Sequence, residues 1–158
     1  MGMQIVKELS TKLVHKGEDE VPASEVLLYG VSTGKLVSGK LLEAAVEWES
    51  RYLVFMTDDV PFEEMLSIHL LDDQMNLLDS ARIGSPYSSG SFSSLLLCEP
   101  NTVQFRFIGD TLWRIELLSR PTFRIPFISE PPGVKRPMGF FRHFIVHGNP
   151  RPQAASKT

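Results

Sequence analysis

The residues of this sequence best suited to binding chemistry are two arginines, Arg106 and Arg114, in the segment 102–118, TVQFRFIGDTLWRIELL. A guanidinium group holds its N–H donors in a planar fork that matches the oxygens of carboxylate and phosphate groups. Two such charges directly opposite each other on paired strands repel by up to about 1 kcal/mol, so an anion is expected close to them. We therefore predict an anion-binding patch at Arg106 and Arg114. The alternative is a surface network in which a carboxylate such as Glu43 or Glu47 lies between the two arginines.

A second candidate for binding is the segment 84–94, GSPYSSGSFSS, which carries two aromatic residues, Tyr87 and Phe92. Binding residues often lie on loops that a rigid sheet holds in place, and we predict that Tyr87 and Phe92 belong to such a recognition loop. The alternative is a flexible connection, because the segment is too polar and glycine-rich to pack.

The acidic residues and the histidines do not predict a metal site. The carboxylates form two clusters, within 58–64 and at 72–73. A strand between them would separate the clusters by roughly 20 Å, too far to share one ion. His143 and His147 would lie about 13 Å apart on a strand, which also excludes a shared metal. We expect neither a metal nor a cofactor.

The sequence gives no positive indication of catalysis. Cys98, the only cysteine, follows three leucines and is interpreted as a buried apolar residue rather than an activated thiol. The chain has no G-x-S-x-G elbow and no glycine-rich phosphate loop with the required spacing.

These candidate residues must be positioned by β-strands, and the clearest strands form a hairpin within 102–118. Apolar and polar residues alternate through 103–107 and again through 113–117, the period of strands with one buried face. Gly109-Asp110 supplies the turn. A two-residue loop would mix apolar and charged groups on each face, so we predict a loop of odd length or a bulge. The predicted cross-strand pairs are Phe107 with Trp113, Phe105 with Ile115 and Arg106 with Arg114.

Further extended segments recur along the chain, at 26–31, 36–48, 52–57, 65–71, 77–83, 95–98, 123–127 and 140–146. The segment 61–72 also fits a helix, but its neighbours have period two and favour a strand. Pro126 has no N–H for a ladder and places 123–127 at a sheet edge. Residues 3–14 have helical spacing of apolar residues and favour a short amphipathic helix over a strand. About eight to ten short strands predict an all-β fold, an antiparallel β-sandwich or barrel-like sandwich with a short N-terminal helix.

Length and composition fit one domain. A chain of 158 residues suits a single β domain, which we place at 3–147, with a disordered tail at 148–158. The net charge of −3 argues against general nucleic-acid binding. The lone cysteine, the absence of a signal-peptide pattern and the absence of a long apolar run predict a cytoplasmic protein without a membrane span.

The function that the sequence favours is a non-catalytic binding or interaction module that recognises an anionic ligand or a protein partner. Its candidate binding residues are Arg106, Arg114, Tyr87 and Phe92. One alternative is a small-ligand carrier or an enzyme whose pocket is assembled from separate strands. Another is a subunit of a larger assembly, with the Pro126 edge or the basic C-terminal segment as the contact.

Overall fold

The computed structural model of the chain describes residues 2–14, 22–60, 64–84, 91–108, 111–126 and 128–148. Within these residues the fold is all-β with antiparallel strand pairs, which confirms the predicted fold class. Thirteen strands are present there, two of them only two residues long. In chain order they are β1 (Gln4–Ile5), β2 (Leu9–Val14), β3 (Ala23–Leu28), β4 (Val31–Ser38), β5 (Leu41–Trp48), β6 (Arg51–Thr57), β7 (Leu66–Leu71), β8 (Leu77–Ile83), β9 (Ser93–Cys98), β10 (Thr102–Arg106), β11 (Leu112–Phe123), β12 (Val134–Lys135) and β13 (Phe141–His147).

The strands form three stacked sheets. A six-stranded sheet, in the order β1-β5-β6-β7-β8-β12, lies in the middle. Side chains from one of its faces, such as Phe55 and Ile68, share a core with the four-stranded sheet β13-β11-β10-β9. Side chains from its other face, such as Val54 and Met56, share a second core with the three-stranded sheet β2-β3-β4. The fold is therefore a three-layer β-sandwich with two cores.

The middle sheet explains the continuous apolar runs of the sequence. Every residue of β7 is buried, as are the last five residues of β6, because both faces of these strands are covered. A strand covered on both sides favours apolar side chains at consecutive positions, as in β6 at 53–56, whereas β7 also buries Ser67 and His69. The predictions of a central strand at 52–57 and of a strand rather than a helix within 61–72 are both confirmed, and β7 pairs with β8 as a hairpin.

The predicted N-terminal helix is wrong. Residues of the segment 3–14 form β1 and β2, and β2 pairs with β3 along its whole length. Leu9 is buried in the second core, whereas Ile5 and Leu13 are exposed. The helical spacing of these three residues therefore does not correspond to one buried face, and the ladder to β3 satisfies the backbone instead.

The central hairpin of β10 and β11 is confirmed, but its register differs from the prediction. Residues 107–111 connect the strands, an odd number as expected. Phe105 pairs with Trp113, so each partner lies two positions earlier than predicted. A shift of two residues keeps the same side chains inward, and both of these rings remain fully buried. Trp113 Nε1 donates a hydrogen bond to the Phe107 carbonyl at 2.9 Å, which joins the two ends of this loop.

The predicted edge strand at 123–127 does not form. Phe123 is the last residue of β11, and residues 124–126 lie outside any strand. β10 pairs with β11 only as far as Glu116. Beyond that point β11 pairs with β13, and residues 119–123 are all exposed. These residues and the start of β13 make a two-stranded ribbon that extends past the core.

The described strands begin at Gln4 and end at His147. The predicted disordered tail lies outside the described residues apart from Gly148. In the part of the chain that the structure describes, no helix has the length and apolar character needed to cross a membrane.

Candidate functional site

Arg106 and Arg114 both lie exposed on the outer face of the four-stranded sheet. The observed register places Arg114 opposite Gln104 and Arg106 opposite Leu112, so the prediction that the two arginines face each other is wrong. They occupy diagonal positions instead, which are about 7–8 Å apart and repel less than opposed positions. The structure brings the two predicted residues to one face without placing them side by side.

The carboxylates expected between these arginines lie elsewhere. Glu43 and Glu47 accept hydrogen bonds at 2.6 and 2.7 Å from side chains of the middle sheet. The carboxylate on the outer face is Glu116, which contacts His147 at 3.0 Å. Arg114 forms no ion pair with a described carboxylate. This face therefore keeps a cationic character at Arg114.

The segment 84–94 is described only in part. Tyr87 lies outside the described residues. The ring of Phe92 lies 5.1 Å from that of Phe55 and 5.3 Å from that of Phe105, so the expectation that the segment is too polar to pack is wrong at this residue. Phe92 anchors the end of the segment to the core. Its role in binding stays a prediction.

A group of buried charged side chains, absent from the predictions, lies where the middle sheet meets β13. The side chains of Asp79, Arg136 and Arg142 are 3%, 2% and 5% exposed. Asp79 Oδ2 accepts hydrogen bonds from Arg136 Nη2 at 2.7 Å and from the His143 N–H at 2.8 Å, and its Oδ1 lies 3.5 Å from Arg142 Nη1. Glu130 lies 3.6 Å from Arg136 Nη1. We call Arg136 and Arg142 the buried arginine pair.

Asp79 and Arg142 occupy strand positions that normally hold apolar residues. Asp79 alternates with Ala81 and Ile83, which face the first core, and Arg142 alternates in the same way with Phe144. Charges at this depth must be paired, and β8 and β13 lie in contact at the end of the two sheets. A charged residue at an inward position of an alternating strand was the sequence signal for this site.

The buried arginine pair retains N–H donors without an acceptor. Arg136 donates from Nε to the Ser80 carbonyl at 2.7 Å, and its guanidinium lies 4.3 Å from the centre of the Phe144 ring. Among the described residues, Arg136 Nη1 and Arg142 Nε have no hydrogen-bond partner. Burial lowers the pKa of Arg136, and Asp79 opposes this effect by favouring the charged form. A buried donor left unsatisfied costs about 1–3 kcal/mol, which favours an oxygen ligand at this place.

A cleft of about 350 Å³ opens beside the buried arginine pair, and we call it the arginine cleft. Its described lining contains no Ser, Cys or His that could act as a nucleophile or base. Half of the described lining residues are apolar and half are charged. The apolar residues are Pro126, Val134, Pro137 and Met138, and the charged residues are Glu130, Lys135, Arg136 and Arg142. This composition fits binding of an anion with an apolar part.

A second surface feature lies on the two-stranded ribbon and the segments beside it, and we call it the aromatic surface. The rings of Phe123 and Phe140 stack at 5.9 Å, and Phe141 lies edge-on to Phe123 at 6.0 Å. Arg124, which donates its N–H to the Phe140 carbonyl, joins the next segment to these rings. Its apolar members are each at least half exposed: Phe123, Ile125, Ile128, Met138, Phe140 and Phe141.

Basic residues surround the aromatic surface. Arg120 and Lys135 are exposed, and Arg124 is half-buried. Between Glu116 and the end of the sequence the only acidic residue is Glu130, whose carboxylate faces the buried arginine pair. The apolar side chains therefore sit in a positive environment.

The described residues contain no group of three or more His, Cys, Asp or Glu side chains that could hold a metal ion. Cys98 is half-buried rather than buried. Burial lowers the pKa of His69 and of His143, which favours their neutral forms. His69 Nε2 lies 3.0 Å from the Ser38 carbonyl and therefore carries the donated proton.

Comparison with known proteins gives no assignment, because no protein family, curated protein or solved structure matches this chain. The class that the fold defines is an antiparallel three-layer β-sandwich. Its function has to be argued from its own surfaces.

Proposed function

We propose that the protein is a non-catalytic interaction module that binds a protein partner through the aromatic surface. The observation that carries the proposal is the ribbon of β11 and β13, which extends past the core and displays stacked aromatic rings to solvent. Contiguous exposed apolar patches with a polar rim are typical of interaction sites. Phe123, Phe140 and Phe141 belong to neither core, so their exposed rings remain available to a partner.

The partner that this surface fits is acidic and apolar. Aromatic residues supply most of the binding energy when a partner desolvates them, and the surrounding arginines and Lys135 select a negative rim. We expect a segment of a partner protein in which Asp or Glu residues flank Leu, Phe or Trp side chains. Cys98 is a free cysteine, which fits a reducing compartment, and the cytoplasm is therefore the proposed place of action.

A second candidate surface is the outer face of the four-stranded sheet. Its supporting observation is the exposure of Arg106 and Arg114 on one face, where Arg114 forms no ion pair with a described carboxylate. A partner bound there would be anionic, and the described residues of β9, β10 and β11 beside these arginines offer it no aromatic cluster on that face. Charge-reversal substitutions of the arginines and substitutions of the aromatic residues can therefore show which of the two surfaces binds the partner.

The test begins with short random peptides displayed on phage and selected against the immobilised protein. Selected peptides are then synthesised, and their affinities are measured by fluorescence polarisation. We expect acidic peptides with large apolar residues. We also expect Phe123→Ser/Phe141→Ser to weaken their binding by about tenfold or more, as for loss of buried aromatic contacts. The matched control is Tyr29→Ser/Val31→Ser, an exposed apolar pair at the turn from β3 to β4, which should leave the affinity unchanged.

Equal affinities of the aromatic and control variants would overturn the proposal. Loss of binding in Arg106→Glu/Arg114→Glu alone would assign the contact to the four-stranded sheet. Vesicles of phosphatidylcholine and phosphatidylserine form a further arm. If they bind the protein while no peptide is selected, the assignment to a protein partner is wrong.

A further inference from the structure

We infer that the arginine cleft is a binding site for a monocarboxylate that carries an apolar group. This site goes beyond the proposed docking of a partner, because its charged lining is the buried arginine pair with Glu130 and Lys135, although it shares Met138 and Lys135 with the aromatic surface and its rim. The inference rests on three observations: unfilled buried donors, the local charge and the composition of the lining.

The donors are those of the buried arginine pair. A guanidinium has five N–H groups. Arg136 uses Nε and Nη2, while its Nη1 has only Glu130 at 3.6 Å, beyond hydrogen-bonding distance. Arg142 donates from Nη2 to the Pro137 carbonyl at 2.7 Å and has no acceptor at Nε. Both arginines line the cleft, and a small shift of their guanidinium groups would bring these buried N–H donors, which the described residues leave without acceptors, to an oxygen ligand there.

The charge of the site selects a monoanion. Among the described residues of the site, the positive side chains are Arg136, Arg142 and Lys135, and the negative ones are Asp79 and Glu130. One positive charge remains, and a single carboxylate balances it. A phosphate dianion would leave an excess negative charge beside Asp79 and Glu130. The planar guanidinium also matches the two oxygens of a carboxylate.

The apolar half of the lining selects the remainder of the ligand. Val134, Pro137 and Met138 have no polar side-chain atom that could bond a hydroxylated body, and the cleft volume of about 350 Å³ accommodates a small organic acid. Two sources share this chemistry, a free aliphatic or aromatic acid and the C-terminal carboxylate of a peptide that ends in an apolar residue.

The test titrates the full chain with hexanoate and follows amide and arginine Nε–H resonances by NMR. We expect saturable binding with a Kd on the order of 1 mM or tighter, with shifts at the Arg142 Nε–H. Hexanamide, which lacks the charge, should bind at least about tenfold more weakly. Inorganic phosphate should not saturate these shifts. Equal binding of hexanoate and hexanamide, or no saturable shift because water alone fills the cleft, would overturn the inference.

The variant arm avoids the buried arginines, whose loss could unfold the chain. Lys135→Glu reverses a charge on the exposed rim of the cleft and should weaken hexanoate binding about five- to tenfold. Lys12→Glu makes the same change of net charge on the exposed surface of β2 and is the matched control. Equal effects of the two variants would contradict binding at the cleft.

The source of the carboxylate is separated by a peptide arm. A short peptide ending in Leu is compared with its C-terminal amide. Tighter binding of the acid peptide than of hexanoate, lost in the amide, identifies a chain terminus. Binding of hexanoate but not of the acid peptide identifies a free small acid. Because Phe123→Ser/Phe141→Ser leaves the two arginines and Lys135 in place, it should retain hexanoate binding even if it abolishes docking, so failure of one proposal is distinguishable from failure of the other.

Discussion

Asp79→Ala tests whether the buried charge group holds the two sheets together. Asp79 is the carboxylate that contacts both members of the buried arginine pair and also accepts the His143 N–H. Its removal leaves guanidinium charges with side chains 2% and 5% exposed and only Glu130 nearby. Breaking a buried ion pair by removal of one partner costs about 3–5 kcal/mol. We expect the upper half of this range, because the backbone N–H also loses its acceptor.

A loss of about 4–5 kcal/mol is a large share of the roughly 5–15 kcal/mol that stabilises an ordinary domain. It should lower the melting temperature by roughly 8–20 °C at this chain length. The assay is urea unfolding followed by tryptophan fluorescence, since Trp48 and Trp113 are both buried in the first core. The matched control is Asp59→Ala, whose exposed pair with Lys40 at 3.6 Å contributes about 0–1 kcal/mol.

The physical reason has its own check. Replacing the whole group with uncharged residues, Asp79→Leu/Arg136→Met/Arg142→Met with Glu130→Gln, leaves no uncompensated charge and should recover most of the lost stability. A different result would contradict this reason. If Asp79→Ala lowers the free energy of unfolding by less than about 1 kcal/mol while the slope of that free energy against urea concentration is unchanged, the guanidinium groups are better solvated than their burial indicates.

Two further predictions concern acid stability and backbone freedom. Burial lowers the pKa of His69 below its ordinary value of 6.5. As the pH falls, the imidazole is therefore protonated in the unfolded chain before it is protonated in the folded chain. The contribution of His69 to the free energy of unfolding is fully retained above about pH 6.5 and declines below it. His69→Gln should reduce this decline in urea midpoints measured at neutral and acidic pH, whereas His147→Gln, at a half-exposed site, should retain it. Gly39→Ala should cost about 2–4 kcal/mol in the same unfolding assay, because the residue has φ +124° and a Cβ there overlaps Met56. Gly34→Ala, with φ +75° and open space, should cost only about 1 kcal/mol, and equal losses would refute the overlap.

The period of two was sufficient to predict the all-β class and most strands, because the core-facing residues of β10, β11 and β13 alternate cleanly. It failed at residues 3–14, where Leu9 enters the second core while Ile5 and Leu13 remain exposed. Nothing local marks which face of a short strand a third layer covers. The third layer was not predicted, and its clearest sequence signal was the continuous apolar run that forms most of β6.

The candidate site was less predictable than the fold. Arg106 and Arg114 were recognisable because they alternate with apolar residues, but their register depended on the loop that Trp113 and Phe107 fix between them. Asp79 and Arg142 are far apart in sequence and meet only through the packing of β8 against β13. The sequence showed two opposite charges at inward positions of alternating strands. It did not show that the two strands lie next to each other.

The two shortest strands have a consequence for how copies of this protein avoid one another. β1 and β12 lie at the two ends of the middle sheet, where they pair with β5 over Gln4 and Ile5 and with β8 over Val134 and Lys135. Without them, β5 and β8 would present free N–H and carbonyl groups at these positions, where a strand of another chain could add. Terminal strands of two residues offer little backbone for such an addition.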